Sequence, residues 1–245
     1  MAVLAHEGTY PIMYGSWPIP VGAGHRKGYV ARPDEAGRFP VVVVLPGLDG
    51  LSSFEKDICR KLARAGFAGI SIDLYGVSGD SLQLYNSLND DRALAILDEV
   101  HDIVISDDVG WNVEEHLGVL GHDVGGRFGL ICAATKDWVR SLVLGYTPLT
   151  GDEERAHQVA DYLDHLPVPV LGLYGDSDEL IDPSTVDEAQ RRNESGQWLL
   201  YSGAGHGFLD IDDPGYEEGA AEDALARLIA FFKATLAKPE IEELG

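Results

Sequence analysis

The sequence predicts an α/β fold: a mainly parallel central sheet with helices on both faces, formed by residues 1–245 as one domain. Three observations predict it. The chain has 245 residues, 45% of them hydrophobic, enough for one sizeable buried core. Apolar, β-branched runs alternate with segments of helical period. The runs are continuous rather than alternating in polarity, as in strands covered on both faces.

The elements follow in order. "FPVVVVLPGLDG" is a buried strand ended by Pro46 and Gly47. "SSFEKDICRKLARAGF" is a helix, with Phe54, Ile58, Leu62 and Ala65 on one face, Ser53 as N-cap and Gly66 as terminator. "AGISIDLYG" is the next strand, and "NDDRALAILDEVHDIVISDDV" a helix capped by Asn89 or Asp90. "HLGVLGHD" is a third strand, followed by the helix "VGGRFGLICAATK". "RSLVLGYTP" and "VPVLGLYGD" are further strands. "PSTVDEAQRRNE" opens a helix with Pro183, well suited to the first helical position. "GQWLLYSGAGH" is the last strand and "EEGAAEDALARLIAFFKATLA" the closing helix. Strand–helix alternation implies right-handed crossovers. No stretch of about 60 residues or more remains for a large cap domain. The tail at 238–245 is expected to fray.

Composition narrows the function. The net charge of −23 argues against nucleic acid, because no Lys/Arg surplus displaces phosphate counterions. It also disfavours anionic membranes, and an anionic substrate would need a local cation. No run of 18 apolar residues is present, and the N-terminal stretch lacks a basic-then-apolar signal pattern. Cys59 and Cys132 lack metal-ligand spacing and read as reduced core thiols of a cytoplasmic protein. The expected partner is a small-molecule substrate, with no cofactor and no metal, on a monomer or homodimer.

"GHDVGG" lies between an apolar strand and a helix. Gly121 and Gly125 flank Asp123 at minus two and plus two, the spacing of a sharp turn that displays a nucleophile. His206 follows the last strand in "YSGAGHGF", and "LYGDSDELID" offers Asp176, Asp178 and Glu179 after the fifth strand. The order nucleophile, acid, histidine, each after a strand, is that of an α/β-hydrolase. The adjacent His122 is expected to point away from the site. The other histidines show no ligand spacing.

Nearly the whole chain resembles the dienelactone hydrolase family, through "GYVARP", "FPVVVVLPG", "LARAGFAGISIDLYG", "GHDVGG", "VPVLGLYGDSD" and "YSGAGHGF". The resemblance implies Asp178 as the acid, His206 as the base, and the amides of Val124 and Leu48 as the oxyanion hole. It also marks departures. The family's nucleophilic cysteine is Asp123 here, and a glutamate that partners it would fall near Gly47. Two arginines that hold a substrate carboxylate are replaced by Val77 and Asp210. The elbow itself is similar to "GHDxGGR" of haloacetate dehalogenases and "GHDxGG" of epoxide hydrolases, over about fifteen residues. That likeness implies Arg127 as a contact for a substrate carboxylate.

A carboxylate attacking an ester carbonyl would form an anhydride, whereas attack on a saturated carbon bearing a leaving group forms a stable alkyl ester. The expectation is therefore hydrolytic dehalogenation of a small haloacid such as a haloacetate, or epoxide opening, through a covalent ester on Asp123. Water activated by His206 would then release it, with an oxyanion amide worth about 2.7–4 kcal/mol. Leaving-group donors by residue type are Trp17, Trp111, Trp138, Tyr75, Tyr85 and Tyr146, with Tyr75 and Tyr146 best placed. Three alternatives stay open: an ester or lactone hydrolase with Asp123 as general base, a cyclase or binding protein on the same fold, and an aspartate introduced in place of Cys or Ser.

Overall fold

The computed structural model describes residues 8–76, 79–111, 117–151 and 155–236. Four short strands come first: β1 (Ile12–Ser16), β2 (Ile19–Val21), β3 (Gly24–Arg26) and β4 (Gly28–Pro33). Then follow β5 (Val41–Leu45), α1 (Ser53–Arg64), β6 (Ala68–Ile72), α2 (Ser81–Ser87) and α3 (Asp90–Ile105). The second half contains β7 (Leu117–His122), α4 (Asp123–Thr135), β8 (Val139–Gly145), β9 (Val170–Gly175), α5 (Pro183–Arg192), β10 (Gln197–Tyr201) and α6 (Glu218–Leu236).

Eight strands form one sheet in the order β1-β4-β6-β5-β7-β8-β9-β10. The strands from β6 to β10 pair in parallel, while β1 and β4 join antiparallel at one edge. This is an α/β-hydrolase fold, and among the described residues no cap domain covers the strand ends. The order reverses direction after β6, so right-handed crossovers put α1 on one face and α3 and α4 on the other. The polypeptide then leaves the C-terminal ends of β5, β7, β9 and β10 on one rim, where loops meet.

The core explains the apolar runs. Val41, Val42, Val43 and Val44 of β5 are all at most 1% exposed, because helices cover both faces. Burying each such side chain contributes about 1.5–3 kcal/mol. Cys59 and Cys132 are both buried and free, in α1 and α4.

Three features differ from the sequence expectation. The N-cap of α1 is Ser52, not Ser53: its side chain accepts from the Phe54 amide, while Glu55 reaches back to the Ser52 amide. A reciprocal cap of this kind satisfies two otherwise orphaned donors and wins over a single one. The strands β1 to β4 and the helix α2 were not anticipated, being short and weakly patterned. The tail at 238–245 lies outside the described residues, as does Val77. No helix among the described residues is long and apolar enough to cross a membrane.

Candidate active site

The turn between β7 and α4 builds the centre of the site. Asp123 opens α4 with φ +47°, a conformation that costs a non-glycine residue energy and is kept where surrounding structure enforces it. Its flanks must be bare. A methyl group on Gly121 would come within 2.5 Å of Gly126 Cα, and one on Gly125 within 2.2 Å of the Pro46 carbonyl oxygen. Packing this close throws the Asp123 side chain outward, into a cavity of about 400 Å³.

His206 reaches Asp123 from the loop after β10. Its Nε2 lies 3.4 Å from Asp123 Oδ1, and its Nδ1 lies 2.9 Å from Asp178 Oδ2. Asp178 is itself fixed: its other oxygen accepts the amides of Leu180 at 2.8 Å and Ile181 at 3.1 Å. Of the three acids in that loop, Asp176 instead binds Ser177 and the Gly203 amide at the surface. The geometry thus brings together Asp123, His206 and Asp178.

The loop after β5 closes the other side. The Leu48 amide donates to Asp123 Oδ2 at 2.9 Å, and the Gly47 amide nitrogen lies 3.1 Å from His122 Nε2. Tyr75 donates its hydroxyl to the Gly47 carbonyl at 3.1 Å, bracing the same loop. Val124 is the next residue of α4 after Asp123, in the first turn, where helix amides lack intrahelical partners.

His122 does not point away, as expected from its place in the strand. Its ring lines the same cavity as Asp123. Its Nε2 also lies 2.7 Å from Oε1 of Glu55, which is 1% exposed, and Tyr146 contacts its Nδ1 at 3.4 Å. Sequence reading missed Glu55. The S-x-x-E pattern from Ser52 signals its turn back to the helix cap, but not its reach to a histidine 67 positions away.

The charges follow from these contacts. Burial pushes the Asp123 carboxyl up, but the hydrogen bond with His206, the Leu48 amide and the two nearby histidines hold it below the usual carboxylate range. Burial pulls His206 down, but Asp123 and Asp178 together raise it above its ordinary value of 6.5. Burial and the charge of Asp123 keep the Tyr75 phenol protonated. Asp123 and His206 are thus poised as a carboxylate facing an imidazole of raised basicity.

Arg127 stands elsewhere. Its Nε and one terminal nitrogen bind Asp90 at 2.9 and 2.7 Å, and the guanidinium also donates to the His157 carbonyl. Arg127 does not line the Asp123 cavity. Position four after Asp123 is one helical turn on, but the side chain is drawn to a buried acid on α3. Of the six aromatic donors, only Tyr146 lines the cavity. Tyr75 touches its wall at Gly47. Trp138 donates to Asp98, Trp17 and Trp111 meet edge to face, and Tyr85 lies under the guanidinium of Arg155. No group of three or more His, Cys, Asp or Glu among the described residues is arranged to hold a metal.

Comparison with known proteins adds to this geometry. The model of the dienelactone hydrolase family matches residues 27–236. The "Putative carboxymethylenebutenolidase" of Escherichia coli (strain K12) is 31% identical over 239 residues, covering 91% of this chain and 87% of that one. The "Probable 2-oxo-3-(5-oxofuran-2-ylidene)propanoate lactonase" of a Bradyrhizobium species is 29% identical over 222 residues, covering 85% of this chain and 89% of that one. Among solved structures, a "Putative Dienelactone Hydrolase" from Klebsiella pneumoniae superposes with a TM-score of 0.82 at 28% identity, covering 91% of this chain and 98% of that one.

Proposed function

Because the chain belongs to the dienelactone hydrolase family, we propose that it hydrolyses an ester or lactone bond of a small organic molecule at Asp123. The observation that carries this reading is the relay Asp123–His206–Asp178, with His206 Nε2 3.4 Å from Asp123 Oδ1 beside an open cavity. A water bridging Asp123 Oδ1 and His206 Nε2 gives a proton to His206 as its oxygen attacks the acyl carbon. The acyl oxygen becomes an oxyanion at the α4 N-terminus, where Val124 offers its amide. The tetrahedral intermediate then expels the alkoxide, which takes the proton back from His206. General-base assistance of this kind contributes about 10²–10⁴-fold in rate.

The cavity also argues against the haloacid reading. That reading needs a cation for the carboxylate and N–H or O–H donors for halide. Arg127 is committed to Asp90, no Lys or Arg among the described residues lines the cavity, and of the six candidate donors only Tyr146 does.

One observation favours a covalent variant. The Leu48 amide already holds Asp123 Oδ2, the arrangement needed if Asp123 became an alkyl ester and water attacked its carbonyl carbon. Hydrolysis of neutral esters and lactones in heavy-oxygen water separates the two. The general-base route puts the label in the carboxylic product in the first turnover and none in Asp123. Label in Asp123 establishes the covalent route, and turnover of haloacids or epoxides but not esters overturns the proposal.

A further inference from the structure

We infer that the cavity above Asp123 selects substrates by charge, favouring esters with a positively charged group over neutral ones, and both over anionic isosteres; the inference rests on the hydrolytic reading above. Apart from His122 and His206, each set against a carboxylate, the charged walls are acidic. Asp49, Glu55, Asp123, Asp210, Asp212 and Asp213 line the cavity, and no Lys or Arg does among the described residues. Of the residues outside that description, Lys238 alone is Lys or Arg.

The acids at the mouth are fixed by neutral donors, which position a charge without cancelling it. Asp49 accepts from the Ser81 hydroxyl at 3.0 Å and Asp212 from the Ser53 hydroxyl at 2.8 Å. Asp210 accepts from the Asp212 amide at 3.0 Å and Asp213 from the Gly215 amide at 2.7 Å. Four cations are engaged elsewhere: Arg60 and Lys61 of α1 bind Asp57, while Arg127 of α4 and Arg155 of the segment after β8 bind Asp90. Burial and the charges of Asp212, Glu55 and Asp213 push the Asp210 carboxyl up, so these acids repel one another. A cationic group entering the mouth relieves that repulsion, and a carboxylate adds to it. The field is focused by the cavity walls and screened by salt.

The test uses phenyl esters of matched shape: 4-(trimethylammonio)butanoate, 5,5-dimethylhexanoate and the adipate half-ester, each rate divided by its hydroxide-catalysed rate. The expected kcat/KM is at least about tenfold higher for the cation than for the anion, with the neutral ester between, and the ratio shrinks in about 0.5 M salt. In the pair Asp49→Asn and Asp212→Asn the ratio falls several-fold. Asp187→Asn with Glu194→Gln, on the exposed surface of and beside α5, keeps it. Equal rates across the series, or faster turnover of the anion, overturn the inference while leaving ester hydrolysis intact. If no ester is turned over, the hydrolytic reading falls. Calorimetry then still decides the cavity's sign: tighter binding of benzyltrimethylammonium than of phenylacetate supports the inference, and the reverse overturns it.

Discussion

The amide of Leu48 holds the carboxylate of Asp123: the nitrogen lies 2.9 Å from Oδ2. One residue earlier, the Gly47 amide is 3.1 Å from His122 Nε2. Two successive amides of one loop therefore meet two successive side chains of the elbow. The loop that would bind an oxyanion is registered against the residue expected to do the chemistry.

That registration leaves no room for a side chain at position 47. A methyl group there would lie 2.9 Å from His122 Cε1 and 3.1 Å from Asp123 Oδ2. Gly47→Ala is expected to move the loop and lower kcat at least about tenfold while the far-ultraviolet circular dichroism stays unchanged. Full activity in this variant would show that the loop does not position Asp123.

Glu55 ties α1 to the elbow through His122. Glu55→Ala leaves His122 short of its buried partner and is expected to cost about 3 kcal/mol in urea unfolding, with Glu55→Gln costing less. The pH dependence has a definite sign. Burial pushes the Glu55 carboxyl up, but the hydrogen bond and charge of His122 and the Ser52 contacts hold it below 4.5. Its contribution is therefore present above pH 4.5 and is lost as the pH falls through the lower folded-state value. An acid-unfolding curve of Glu55→Gln should lack that component.

Arg127 and Asp90 test structure against substrate binding. Their side chains are 3% and 2% exposed. Arg127→Met leaves a buried carboxylate with one cation fewer and is expected to destabilise the fold by about 3 kcal/mol, with KM for a neutral ester unchanged. A raised KM at unaltered stability would return Arg127 to the substrate.

On the proposed route, His206 is expected to set the pH dependence of turnover. It accepts a proton only when neutral, so the rate climbs with pH, and its raised pKa moves that climb above pH 6.5. The charge of Asp178 is one cause of the rise. Asp178→Asn is expected to shift the acidic limb to lower pH and reduce kcat about 100-fold or more. The same raised value makes the paired imidazolium stabilise the fold below pH 6.5 and fade above the folded-state pKa. An unmoved limb in Asp178→Asn would assign the limb to another group.

Much of this was legible in the chain. Continuous apolar runs such as Val41–Leu45 marked buried strands, and G-x-D-x-G between strand and helix marked the elbow. The order of Asp123, Asp178 and His206 anticipated three side chains that do meet. The edge strands β1 to β4 were harder to see, because three to six residues carry little periodicity and their partners are far along the chain. The orientation of His122 was misread for a related reason: alternation along a strand says which face a residue starts from, not where its ring turns at the strand's end.

By itself the sequence determined the alternation of elements, the strained turn and the placing of each candidate group, Asp123, Asp178 and His206, just after a strand, since each depends on neighbours within a few residues. The tertiary structure decided which distant groups share a hydrogen bond: Glu55 with His122, Asp90 with Arg127, Leu48 with Asp123. It also decided the charge of the cavity, because carboxylates from two loops and the first turns of two helices become neighbours only once helices have packed on the sheet. A buried side chain takes the partner that packing brings within 3 Å, and local pattern carries no record of that distance.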